Sequence, residues 1–321
     1  MSAPTVYIGQ LGDLGIAKES TLGTYVAPAR YIPVYLPCNI GSPDIALLTS
    51  KAIRGIPDLL YKAQQGQGQV KSAKYKFEVE PENIGDTLMA VFGVDTKTGS
   101  GPYTHTFSRG SVAQLPTYSL TVKNGLTYSE VYGAMCNKVV LDVKAPDWVT
   151  CEADFVGSNF TTGNPSFTPS YSPLNPFKFD QATLTIGGSG VSNYSDLKIT
   201  FDNKVKIQPI LGGSIYSNVI YTESFEVDIA CTMVVENSTE WGNFTSGTSS
   251  SLVLALTSTQ QTSSTYYSLT INVPTIYYEA APFPLKNGLL EITFQAKAVY
   301  TAASTNYTAN AVLVNSVSSA Y

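Results

Sequence analysis

The sequence predicts a mainly β protein made of two tandem antiparallel β-sandwich or partial-barrel domains, each with one short flanking α-helix. Three observations carry this reading. Apolar and polar residues alternate with a period of two in most structured segments, helical periodicity is scarce, and several strand-like segments occur twice at a nearly constant offset. Tyr118-Ser119-Leu120-Thr121-Val122 returns as Tyr267-Ser268-Leu269-Thr270-Ile271, 149 residues on. Phe77-Glu78-Val79-Glu80 returns as Phe225-Glu226-Val227-Asp228, and Val140-Leu141-Asp142-Val143 as Leu289-Leu290-Glu291-Ile292. The expected division is a first domain over 1–156, a linker over 157–177, and a duplicated second domain over 178–321 that ends in a C-terminal arm. A length of 321 residues suits two such cores.

Along the first copy, residues 42–70 form a long irregular segment with Gly55-Ile56-Pro57 and the run Gln64-Gln65-Gly66-Gln67-Gly68-Gln69. A loop of that length in a small domain is usually functional. Residues 74–80 then place Tyr75, Phe77 and Val79 on one face and Lys74, Lys76, Glu78 and Glu80 on the other, which predicts a half-buried strand. A helix is expected over 82–92: Pro81 suits its first turn, Glu82 and Asp86 complement its dipole, and Gly93 offers a C-cap. Period-two strands follow around Leu120 and around Leu141.

Residues 157–177 lose all periodicity and contain Pro165, Pro169, Pro173 and Pro176, as an extended linker does. In the second copy Gly187-Gly188 reads as a hairpin tip, and Ile199 with Phe201 as a strand. Residues 203–222 form a loop that matches 42–70, just before the repeated Phe-Glu-Val strand. A weaker helix is expected over 236–244, with Trp241 and Phe244 turned inward, followed by strands around Leu269 and Ile292.

Only 13% of residues are charged, while Tyr, Ser, Thr and Asn are abundant, so the surface is covered by neutral polar groups and suits contact with neighbouring molecules. The net charge of -5 argues against a general phosphate-binding surface. The two parts differ: up to Thr150 there are 13 Lys and Arg against 12 Asp and Glu, and from Cys151 onward 6 against 12.

Catalytic and metal chemistry find little support. Cys38, Cys136, Cys151 and Cys231 lack metal or redox spacing and read as buried free thiols; a Cys136–Cys151 disulfide requires neighbouring strands. The single histidine, His105, excludes multi-histidine sites and reads as a packed or edge residue. No catalytic or metal residue and no cofactor is assigned. Sequons at Asn159, Asn193, Asn237, Asn243 and Asn306 are expected by chance in this composition. The start lacks a basic and an apolar region, and no apolar run is long enough for a membrane helix, which predicts folding in the cytoplasm.

The stretch Gly15-Ile16-Ala17-Lys18-Glu19-Ser20-Thr21-Leu22-Gly23-Thr24-Tyr25-Val26-Ala27-Pro28, followed by an apolar strand, resembles the opening of major tail tube proteins of long-tailed, siphovirus-type phages. Ile53-Arg54-Gly55, the helix after Phe77-Glu78-Val79-Glu80, and Tyr103-Thr104-His105-Thr106-Phe107 also resemble that family. The likeness covers the first half; the second half follows through the internal repeat. It implies a non-enzymatic virion protein, made in the host cytoplasm, that polymerises into stacked rings around a lumen for DNA. With two tube domains per chain, three chains would close a pseudo-six-fold ring.

Tail terminator, tape-measure and distal tail proteins are the implied partners, with DNA as non-specific cargo. Lys51, Arg54 and Asp58 in the first projecting loop are the candidates for ring stacking, together with the loop over 203–222. Glu78, Glu80, Asp142, Glu226, Asp228 and Glu291 are candidates for lining the lumen, because an acidic wall repels phosphate. The competing readings are a cell-surface or S-layer-like β-sandwich, from the low charge and the sequons, and a carbohydrate-binding β-sandwich using exposed tyrosines.

Overall fold

The computed structural model describes residues 12–321 apart from 41, 53–54, 56–62, 111–113, 126, 164, 166, 213, 217, 263, 283–287 and 302–306. The first half contains β1 (Asp13–Lys18), β2 (Arg30–Ile32), β3 (Asp44–Thr49), β4 (Ala63–Glu78), α1 (Ile84–Phe92), β5 (Val94–Thr98), β6 (Tyr103–Ser108), β7 (Thr117–Lys123), β8 (Tyr128–Lys144) and β9 (Thr150–Gly163). A 3-10 turn at Phe179–Gln181 leads into β10 (Ala182–Ile186), β11 (Ser189–Val191), β12 (Tyr194–Asp202), β13 (Val205–Pro209), β14 (Asn218–Thr222) and β15 (Glu226–Val234). The chain ends with α2 (Thr239–Ser246), β16 (Ser250–Thr262), β17 (Thr265–Ala280), β18 (Glu291–Ala298) and β19 (Asn310–Asn315). The protein is mainly β and antiparallel, as its periodicity predicts.

Alternation decides which face each strand buries. Tyr75, Phe77 and Val79 are almost wholly buried, and cross-strand partners carry the same face through Phe155, Leu141, Ile199, Ile229 and Phe294. These side chains form one apolar core that draws on both halves. Helix α1 is buried along its whole length and caps this core; Gly93 ends it in the left-handed conformation, its N–H donating to the Met89 carbonyl. Its first helical residue is Ile84, since 81–83 form a turn.

The pairing order of six strands is repeated. In the first half they run β2-β1-β7-β8-β9-β4. In the second they run β11-β10-β16-β17-β18-β15. A helix follows β4 and, at the same point, β15. Strand β12 covers the edge of β15, where residues 35–39 cover that of β4, and each half projects a ladder beyond this edge, β3 with the start of β4 in the first and β13 with β14 in the second. The hairpin β5–β6 is extra in the first half, and β19 in the second. Two ladders join the halves: β8 pairs with β12 from Lys138↔Asp202 to Lys144↔Asp196, and β6 pairs with β19.

This order corrects the reading of the sequence echo. Residues 118–122 lie in β7, whose counterpart by pairing is β16, whereas residues 267–271 lie in β17, the counterpart of β8. The segment 140–143 lies in β8, while 291–292 open β18, the counterpart of β9. Only the pair at 77 and 225 falls on matching strands. The inserted β5–β6 hairpin changes the spacing between the halves, so no constant offset survives it.

Other expectations also shift. Residues 157–163 of the expected linker continue β9. The irregular segments 42–70 and 203–222 contain the β3–β4 and β13–β14 ladders. In α2, Phe244 packs against the core but Trp241 remains 38% exposed. Gly187 and Gly188, both at positive φ, make the expected tight turn. Cys136 and Cys151 lie on neighbouring strands yet are free, their register partners being Phe155 and Leu141. His105 is fully buried, its ring between the Asp95 carboxylate at 2.9 Å and the Val317 carbonyl at 3.0 Å.

The N-terminal motif folds into a carboxylate cage. Glu19, only 7% exposed, accepts from Gly23 N at 3.0 Å and Thr117 Oγ1 at 2.8 Å on one oxygen. Its other oxygen accepts from Ser119 Oγ at 2.8 Å and Gly133 N at 2.7 Å. A buried charge is tolerated because four donors replace its water shell. Gly133 sits at φ 59°, and a Cβ there would come within 2.1 Å of Ser158 Oγ. The motif therefore pins the 19–25 loop onto β7 and β8.

Candidate functional site: a continuous polar face and its rim

The side of the sheet opposite the core is one polar surface that crosses both halves. Register carries it from Lys76↔Glu152 between β4 and β9, through Lys138↔Asp154 into β8 and Asp142↔Lys198 into β12. It continues through Thr200↔Asp228 into β15, Asp228↔Lys297 into β18, and Lys297↔Tyr277 into β17. Residues directly opposite each other share a face, so seven strands present their polar side chains together.

The charges on it alternate in sign. Lys74 pairs with Glu152 at 2.6 Å, Lys198 with Asp142 at 4.0 Å, and Lys297 with Asp228 at 4.0 Å and Glu279 at 3.4 Å. Lys204, at the end of β12, reaches Asp202 at 2.9 Å and Glu226 at 3.4 Å. Hydrogen bonding to Asp202 raises the Lys204 pKa, and Glu279 does the same for Lys297. Exposed pairs of this kind add little stability. Their effect is on the surface, because Lys74, Lys198, Lys204 and Lys297 each have a carboxylate beside them, which lowers the positive potential left for a passing polyanion.

Of the six acidic residues singled out from the sequence, Glu78, Asp142, Glu226, Asp228 and Glu291 lie on this face. Glu80 does not serve as surface. It is 8% exposed beyond the end of β4, beside Pro33, Val34 and Tyr35, and burial, with Glu78 and Glu82 nearby, pushes its pKa up to about 7. Sequence alternation gave no sign of this, since the covering segment arrives from residues 33–35. Lys51 is exposed just after β3, while Arg54 and Asp58 lie outside the described residues.

At one end of the face the β13–β14 hairpin folds over the sheet. Val205 and Ile220 pack on Leu115, Met135 and Val156 in a small second core. Asn218 Nδ2 donates to the carbonyls of Gly68 and Ser158, each at 3.1 Å, and the Gly68 N–H donates to Ile215. The two projecting segments read from sequence thus meet at one rim. Leu47, Leu48, Ile210 and Leu211 are all exposed there.

A mainly β subunit with a repeated strand order, a charge-balanced polar face and an apolar rim is the form of an assembly component. A model of the family described as phage tail tube protein matches residues 9–309. The chain belongs to that family. As a phage tail tube protein it is a structural component of the virion tail that self-assembles into a tube, and the family implies no catalytic role. A search of curated proteins finds no match. Among the described residues no helix is long and apolar enough to cross a membrane.

Proposed function

We propose that this tail tube protein serves a long-tailed phage, that its halves are two tube domains related by duplication, and that three copies close a ring of pseudo-six-fold symmetry. The rings stack into a hollow tube through which DNA passes, with terminator, tape-measure and distal tail proteins at its ends. The observation that carries this reading is the six-strand order that occurs twice, with the β8–β12 ladder joining both occurrences into one polar face.

Seven strands per chain give more than twenty in a three-chain ring. That exceeds the 16–18 strands that already leave an aqueous channel in porins. The polar face lines the lumen: Lys74, Lys198, Lys204 and Lys297 on it are held by carboxylates, so duplex DNA meets a wall that does not arrest it. Lys51 and the exposed apolar residues of the hairpin rim meet the next ring, a head-to-tail contact that propagates without closing.

Electron microscopy of the concentrated chain tests the assembly: hollow tubes or rings with pseudo-six-fold symmetry are expected, and persistent monomers overturn it. The lining is tested by Glu226→Lys with Asp228→Lys. Normal tubes with impaired genome delivery are expected, whereas unchanged infectivity removes the lining role.

A further inference from the structure

His105 is the only histidine of the chain, and both its ring and the Asp95 side chain beside it are shielded from solvent. Its Nδ1 lies 2.9 Å from Asp95 Oδ2, and its Nε2 lies 3.0 Å from the Val317 carbonyl oxygen. Asp95 Oδ2 also accepts from the Tyr321 N–H at 2.9 Å, so it meets the ring as an acceptor, and a backbone carbonyl can only accept. A neutral imidazole has a single N–H. Either tautomer would turn a bare lone pair toward one of these two oxygens, in a place where no solvent relieves the mismatch. Only a ring protonated at both nitrogens satisfies both partners.

What this ring holds is a strap between the two halves. Strand β19 pairs with β17 on one side and β6 on the other, and residues 315–321 then run across the first half. Asn315, fully buried, donates to the Pro81 carbonyl at 2.9 Å and to the Tyr321 hydroxyl at 2.7 Å, and Ser316 Oγ donates to Glu82. The Tyr321 ring lies over Gly85 of α1, where a Cβ would come within 2.0 Å of it, and packs edge-on against His105 with centroids 4.9 Å apart. Lys97 of β5 donates to the Ser318 carbonyl, and Lys18 of β1 to that of Tyr321 at 2.8 Å.

We infer that His105 is a buried imidazolium whose second proton clasps the 315–321 strap onto the first half. When that proton passes to solvent, the remaining N–H stays with the Asp95 carboxylate, the bond to the Val317 carbonyl is lost, and the strap is released from β5, β6 and α1. The other charged groups on the elements around the ring are engaged elsewhere. Arg30 of β2 pairs with Asp86 of α1 at 2.9 Å and sits 4.5 Å over the Tyr321 ring, Glu82 accepts from Ser172 and Ser316, and Lys18 and Lys97 hold strap carbonyls. Burial lifts Asp86 to about 6 and drives the Tyr321 phenol far above the ordinary range, so neither changes charge between about pH 7 and 9.

The test uses the unassembled full chain carrying isotope-labelled histidine, in which His105 gives the only ring signals. At about pH 7.5 a histidine in water is roughly nine-tenths neutral. Nitrogen shifts that show both ring nitrogens of His105 protonated at that pH are expected, and one bare nitrogen overturns the inference. The pH is then raised until one nitrogen loses its proton. Across that step the amide-exchange protection of residues 316–321, corrected for the pH dependence of exchange itself, should fall about tenfold or more while that of β8 and β16 holds. Unchanged protection, or a fall shared by β8 and β16, overturns the clasp. In His105→Phe, which keeps a flat ring and carries no proton, the step should be absent; a step at the same pH there would assign it to another group and overturn the clasp equally. Should that variant fail to fold, the ring signals and the protection of the parent chain decide by themselves.

Discussion

Replacing Glu19 by glutamine tests whether the N-terminal motif acts through the carboxylate cage. Each carboxylate oxygen holds one backbone N–H and one hydroxyl: Gly23 N with Thr117 Oγ1, and Gly133 N with Ser119 Oγ. A glutamine side chain has nearly the same shape but offers one oxygen and one NH2 group. Whichever way the amide turns, its NH2 faces one of the two backbone N–H groups. The hydroxyl beside it can rotate and accept, but the N–H cannot, and the site is only 7% exposed. One buried donor is stranded and the charge that strengthened the other bonds is lost, for a cost of about 2–3 kcal/mol. Glu19→Ala strands both backbone donors and should cost about 3–5 kcal/mol on the same basis. Urea titration of the unassembled subunit, followed by tryptophan fluorescence, reads the difference as a shift of midpoint at unchanged slope. If Glu19→Gln lies within about 0.5 kcal/mol of the parent, the range of a neutral surface change, the cage argument is wrong.

Three further predictions concern single residues. Gly133→Ala forces a Cβ toward Ser158 Oγ in a left-handed backbone, and should cost about 2–3 kcal/mol in the same titration, where a loss below about 0.5 would contradict it. Asn203, fully buried, donates to the carbonyls of Val91 and Cys136 at 3.1 Å each and so ties α1 to β8; Asn203→Ala should cost about 2–3 kcal/mol and speed amide exchange at the end of α1. Glu80 has a folded pKa raised to about 7 by burial, so its protonated form favours folding: the contribution is fully present below the ordinary carboxylate pKa near 4.5 and is lost as pH rises through about 7. Glu80→Gln should therefore flatten the fall in stability between about pH 4.5 and 7. Some slope remains, because burial also lifts buried Asp86 to about 6 despite its Arg30 partner; parallel pH profiles for parent and variant would refute the assignment.

The strands were legible where one side of the sheet is buried and the other wet. Lys74 to Glu80 alternates because Tyr75 and Phe77 enter the core while Lys74 and Lys76 face outward, and the same rule located five of the six acidic face residues. Helix α1 announced its end through Gly93. The echo of Tyr118 in Tyr267 misled for the same reason that alternation succeeds: any strand with a buried apolar face and Ser or Thr between shows such a pattern, so similarity reports environment before position. Pairing order required contacts that local sequence does not contain. The Glu19 cage joins residues from three separate strands and loops, and the burial of Glu80 depends on residues 33–35 folding back onto β4. Residues 203–222 read as a loop, although Val205–Pro209 and Asn218–Thr222 pair as a ladder within it.

What the joint between the halves buries sets the order in which a tube should come apart. At the β8–β12 joint, Leu141 and Val143 face Ile199 and Leu197 on the core side, and all four are nearly inaccessible, so separating the halves would open the apolar core. The single chain thus closes one apolar core of its own from both halves. A contact with a neighbouring chain is made by surface outside that core, and net hydrogen bonds contribute only about 1 kcal/mol each, so such a contact is weaker than the fold it joins. The subunit is thereby able to fold first and assemble afterward. In rising urea, light scattering from tubes should fall well before the fluorescence of Trp148 and Trp241 reports unfolding. Coincident transitions would mean that the ring and the fold share one core, and that the edges of the single chain are not complete without their neighbours.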